Sequence, residues 1–216
     1  FFEPHMNAGV REQVELQRDL HTALEQGGQL ELHYQPKVRN NGRVITGAEA
    51  LVRWRHPERG LIEPDAFIPL CESTGMVMEL DRQVFATAAT QLARWQAQGR
   101  DLVLSVNVSP RAFSDPAFAR QTVAMVAQAG CDASRLELEI TESMLLDAGD
   151  APLDTLRAIR DAGMTVSLDD FGRGYSNLAT LSRFPIHALK IDRAFIAGLD
   201  LNPAVADLIV QLCRLM

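Results

Sequence analysis

From Leu102 onward, short apolar runs alternate with longer amphipathic stretches, and few folds accommodate that rhythm. The spacing predicts strands over 102–108, 135–140, 164–168 and 187–191. Helices are expected over 115–129, 152–162 and 203–216, with a helical turn near 178–181. Strands alternating with helices imply a parallel sheet covered on both faces. A barrel of this kind takes ~250 residues and carries its site at the C-terminal ends of its strands.

The first half of the chain starts differently. Val10, Val14, Leu20 and Leu24 make an imperfect helical stripe that ends at Gly27 and Gly28. Residues 30–38 alternate as a strand does, Asn40, Asn41 and Gly42 signal a hairpin, and 44–54 read as the return strand. The first strand pair is therefore expected to be antiparallel. After a turn from His56 to Gly60, Pro64 and Asp65 open a helix that runs to about Ser73. A second helix covers about 79–98 and buries Leu80, Val84, Phe85, Ala88, Leu92 and Trp95.

Polar residues fall late in successive apolar runs: Glu49, Asn107, Glu139 with Glu142, Asp169 with Asp170, and Lys190 with Asp192. Each has a plain structural explanation. Glu49 suits a salt bridge to Arg53 or Arg55, and Asn107 and Ser109 suit helix caps. Glu142 suits a loop brace, Lys190 a surface position, and Asp169 and Asp170 a solvated turn. Jointly they describe one rim of a barrel bearing oxygen ligands and a lysine. All-oxygen donors suit Mg²⁺ or Mn²⁺, not zinc. Two such ions can clamp the attacking and leaving oxygens of a phosphoryl displacement.

Composition limits the partners. With 21 basic and 28 acidic residues the net charge is −7, which argues against binding a nucleic-acid polymer through its backbone. Cys71, Cys131 and Cys213 form neither a zinc spacing nor a disulfide framework, so a reducing cytoplasm is expected. No apolar run is long enough to span a bilayer.

The motifs resemble those of the EAL domain family, which hydrolyses the bacterial second messenger cyclic di-GMP. The resemblance rests on Glu49, Ala50 and Leu51 followed by Arg53 and Trp54, and on Tyr34, Gln35 and Pro36 before them. It continues through Asn107 to Ser109, Glu139 to Glu142, Asp169 to Ser176, and Lys190 to Asp192, covering about residues 15–216. It implies a TIM-like α/β barrel with an antiparallel first strand. It further implies metal binding by Glu49, Asn107, Glu139, Asp169 and Asp170, with two Mg²⁺ or Mn²⁺ ions. Glu49, Asp169, Asp170 and Lys190 would act in catalysis, Lys190 by orienting water. Gln35, Leu51, Arg53 and Asp192 match positions that contact the dinucleotide. Glu142 would hold the loop that includes Phe171, Gly172 and Arg173. Arg173 stands where the family usually has threonine.

The resemblance also implies a homodimer and the linear product pGpG. Residues 1–27 would be a linker helix and 28–216 the domain itself. Phe1 to Ala8 resemble the tail of a GGDEF (diguanylate cyclase) domain, so such a domain is expected upstream. The family pattern continues past Met216 with two more strands bearing a glutamate and a glutamine. On this reading the barrel is incomplete at its C-terminus, and residues 1–216 alone would be poorly active. The alternative is a weakly catalytic receptor for the same dinucleotide.

Overall fold

The computed structural model describes residues 4–39, 41–146, 151–171 and 183–192. The chain begins with helix α1 (Pro4–Gln26) and the antiparallel pair β1 (Leu30–Arg39) and β2 (Val44–His56). A short strand, β3 (Gly60–Ile62), folds back on the end of β2. Helices α2 (Pro64–Thr74) and α3 (Val77–Ala97) lead to β4 (Val103–Asn107). Then come α4 (Pro110–Phe113), α5 (Phe118–Ala129), β5 (Leu136–Thr141), α6 (Ser143–Leu146), α7 (Ala151–Asp161), β6 (Thr165–Phe171) and β7 (Ala188–Ile191). The sheet order is β1-β2-β4-β5-β6-β7, antiparallel between β1 and β2 and parallel from β2 onward. Among the described residues it is an open sheet, an incomplete version of the expected barrel.

Alternation along each strand sorts residues onto two faces. One face supplies the core: Ala48, Ala50 and Trp54 from β2, Leu104 and Val106 from β4, Leu136, Leu138 and Ile140 from β5, and Val166 and Leu168 from β6. Phe67, Leu80, Phe85, Ala88 and Leu92 of α2 and α3 join them. Close packing dictates Gly47. A side chain there would run into the carbonyl of Val103 on β4, so only glycine lets the two strands pair. Gly75 closes α2 in the left-handed conformation, φ 80°, which glycine adopts without strain.

The structure departs from the sequence reading in several places. Val14 is 60% exposed, and α1 docks instead through Leu20, Ala23 and Leu24. Strand β6 does not end at Leu168 but runs on through Asp169 and Asp170 to Phe171. The helix expected from 115 starts at Phe118, preceded by the separate turn α4, which Pro110 opens and which Pro116, lacking an N–H, cannot continue. The helical turn at 178–181 and the helix at 203–216 lie outside the described residues.

Candidate active site

The second face of the sheet is polar. Glu49 on β2 lies opposite Gln35 on β1 and beside Ser105 on β4. Ser105 pairs in register with Glu137, and Asn107 with Glu139, so these four residues form two successive layers. Ser167 follows Glu139 across to β6, and Asp169 follows Thr141.

Lys190 on β7 joins three strands at once. Its Nζ donates to Glu139 Oε2 at 2.7 Å, Glu49 Oε2 at 3.0 Å and Asp169 Oδ2 at 3.1 Å. Asn107 Nδ2 donates to the other oxygen of Glu49 at 3.0 Å. The salt bridge that sequence offered Glu49 goes elsewhere: Arg55 pairs with Glu31 and Arg53 with Glu63. Nor is Lys190 a surface lysine. Burial alone would lower its pKa, but the bonds and charges of Glu139 and Glu49 outweigh burial and hold the ammonium above its usual range. Burial raises the Glu139 carboxyl, and the two lysines bonded to it only partly offset that rise.

A bulge shapes the tip of β6. Between Leu168 and Phe171 the register with β7 slips, and Asp169 Oδ2 meets Lys190 there. Asp170 takes φ 56°, unusual for a non-glycine residue but tolerated by aspartate. Its N–H donates to Asp169 Oδ1 at 2.8 Å. Beyond the bulge, the N–H of Asp192 donates to the carbonyl of buried Phe171 at 3.3 Å.

The other candidate positions surround this centre. Leu51 lines an apolar cleft of about 280 Å³ with Pro64, Ile68, Leu80, Asp81 and Val108, and Asn107 sits at its edge. Arg53 donates through Nε to Glu63 at 3.0 Å and through Nη1 to the Val52 carbonyl at 2.8 Å. Glu142 is buried, at 7% exposure, directly after β5. Gly172 and Arg173 lie outside the described residues. Ser109 does cap a helix, as its pattern allowed, accepting from the Ala112 N–H at 3.1 Å. Asn107 does not; it bonds Glu49.

Sequence reading missed a second lysine. Lys37 on β1 donates to Glu139 Oε1 at 2.8 Å, to Glu137 Oε1 at 2.7 Å and to Ser105 Oγ. The cluster joined by ion pairs holds four carboxylates (Glu49, Glu137, Glu139 and Asp169) against two ammonium groups, which leaves two negative charges. Among the described residues no group of three or more His, Cys, Asp or Glu is set out to hold a metal ion as it stands. The Lys190 ammonium itself stands among Glu49, Glu139 and Asp169 as a cation would. An all-oxygen donor set with excess negative charge fits a hard divalent ion.

The chain matches the EAL domain family over residues 17–216. It is 40% identical over 218 residues to the bifunctional diguanylate cyclase/cyclic di-GMP phosphodiesterase MucR of Pseudomonas aeruginosa, covering 99% of this chain and 32% of that protein. It is 38% identical over 208 residues to the cyclic di-GMP phosphodiesterase PdeR of Escherichia coli, covering 96% and 31%. The chain thus spans about a third of the length of these relatives. The solved PaMucR phosphodiesterase complex with c-di-GMP superposes with a TM-score of 0.83 at 39% identity, covering 90% of this chain and 79% of that one. No helix among the described residues is long and apolar enough to cross a membrane. Polar strand ends, an antiparallel first strand and a match over nearly the whole length converge on one assignment: this chain belongs to the EAL domain family.

Proposed function

We propose that this domain hydrolyses one phosphodiester bond of cyclic di-GMP to linear pGpG, with Mg²⁺ or Mn²⁺ as cofactor. The observation that carries the reading is the Lys190 ammonium held by three carboxylates from three strands, in a cluster that retains two negative charges. Glu49, Asn107, Glu139, Asp169 and Asp170 would hold the ions. When bound, two ions supply a water of lowered pKa and offset phosphate charge.

The chain's own residues divide the remaining work. Lys190 keeps its proton and offers a point charge to the attacking water or the developing oxyanion. Asn107 orients Glu49 through its amide. The cleft beside Leu51 offers an apolar surface for a base, and Gln35, Arg53 and Asp192 surround the dinucleotide. To grip a phosphate, Arg53 exchanges its bond to exposed Glu63, a surface pair of little intrinsic worth. Glu142 steadies the Asp170–Ser176 stretch, as the family resemblance implies. A homodimer and an upstream GGDEF-like domain accompany this reading, and a cytoplasmic site of action fits its substrate.

The test is cyclic di-GMP turnover with Mg²⁺, with Mn²⁺ and with chelator. It is run on residues 1–216 and on the chain extended through two further strands. Metal-dependent release of pGpG by the extended chain is expected, lost in Glu49→Ala with the circular dichroism unchanged. Binding without turnover in the extended chain would replace the enzyme reading with the receptor reading. Near-normal turnover in Glu49→Ala would remove Glu49 from the ligand set.

A further inference from the structure

Glu139 is flanked by a different lysine on each carboxylate oxygen. Lys190 holds Oε2 at 2.7 Å, and Lys37 holds Oε1 at 2.8 Å. The two lysines differ in what else they touch. The other partners of Lys190 are Glu49 and Asp169, both candidate ligands, so an incoming cation competes with it for all of its bonds. The other partners of Lys37 are Ser105 and Glu137, one layer below the rim, and neither is a candidate ligand. Lys37 therefore keeps its own anchors when a cation arrives.

We propose that Lys37 is a positioning residue of this site: it fixes Glu139 from beneath through Oε1, so that Oε2 faces the rim. This rests on the cation-dependent reading above. Three features support it. Glu139 is 1% exposed, so its orientation is set by protein partners and not by water. Glu137 and Glu139 share a strand face, and Lys37 is the cation bonded to both, which lets two carboxylates lie close together. The β1–β2 register slips immediately after Lys37, between Lys37 and Val38. Such a bulge re-aims a side chain and recurs beside active sites. Partners one shell removed from a ligand carboxylate commonly control both affinity and activity at metal sites.

The experiment uses Lys37→Met, which keeps most of the stem and removes the charge. Mn²⁺ binding is measured by calorimetry without substrate, and kcat and KM for cyclic di-GMP are measured alongside. Mn²⁺ affinity is expected to fall about 10- to 100-fold. At saturating metal, kcat is expected to fall while KM stays within about twofold, because Lys37 spends its bonds on Glu139, Glu137 and Ser105 beneath the rim where substrate would bind. Glu137→Gln, a neutral isostere that loosens Lys37, should weaken Mn²⁺ several-fold by the same route. It decides the matter if Lys37→Met fails to fold. A purely structural role would lower the melting temperature and leave Mn²⁺ affinity unmoved, and that result overturns the proposal. If the parent protein binds Mn²⁺ but does not cleave the dinucleotide, the enzyme reading fails and the Mn²⁺ comparison still decides the role of Lys37. If the parent binds no Mn²⁺, both fall together.

Discussion

Strand β5 carries two chemistries in six residues. Leu136, Leu138 and Ile140 are 0, 2 and 1% exposed and belong to the hydrophobic core. Between them, Glu137 and Glu139 face the opposite way and meet lysines from β1 and β7. The apolar face contributes to folding without direction, about 1.5–3 kcal/mol for each large side chain buried. The charged face does the reverse. Its groups lose water, and their pairing does not reliably offset that cost. A sheet stabilised on one side can carry an expensive side, and the expensive side is where chemistry is available. Many TIM barrels fill this interior with branched apolar residues. Here that face carries Glu49, Ser105, Asn107, Glu137, Glu139, Ser167, Asp169 and Lys190 among the described residues.

Damage to one face should not spread to the other. Leu138→Ala should cost about 2–5 kcal/mol of stability, read by denaturant unfolding, through lost burial and a residual cavity. Mn²⁺ affinity of the protein that remains folded should be unchanged. A large loss of affinity would show that the two faces are not separable.

Asp81 on α3, a buried acid lining the cleft beside Leu51, has no lysine bonded to it and accepts instead from the Ser109 N–H. Burial pushes its carboxyl up to about 6, a rise the Ser109 bonds only partly offset. Its folded pKa exceeds the unfolded value. The associated stability is therefore present below about pH 4 and lost as pH rises through about 6. Asp81→Asn mimics the protonated acid. It should gain up to about 3 kcal/mol at pH 8 and nothing near pH 3.5, read as melting temperature at the two pH values. An equal effect at both would mean that folding leaves the Asp81 carboxyl at its unfolded pKa.

Much of the site was legible because acids and an amide recur at the ends of apolar runs. Glu49, Asn107, Glu139 and Asp169 meet Lys190 or one another as that recurrence implied. Lys37 and Glu137 were not legible. A lysine or glutamate at an alternating strand position reads as the solvent face, and only closure of β1 against the sheet turns that face inward. The β6 bulge was hidden for a related reason: Asp and Gly signal a turn, while pairing with β7 extends the strand through Phe171. Strand β3 has only three residues, too few for a periodic signal. Val14 fitted a helical stripe but faces away from the core, since α1 is pinned through Leu20, Ala23 and Leu24 and by ion pairs from Arg59 to Glu12 and Glu15.

The Lys190 ammonium stands among Glu49, Glu139 and Asp169 on the charged face, where the proposed cation would sit. Lys190→Met tests that placement through Mn²⁺ titration by calorimetry on the extended chain, with cyclic di-GMP turnover measured in parallel. Tighter Mn²⁺ binding than in the parent protein is expected, because the competing charge is gone, together with loss of turnover. Weaker or absent Mn²⁺ binding in the variant would contradict that placement and would make Lys190 part of the scaffold that assembles the carboxylates.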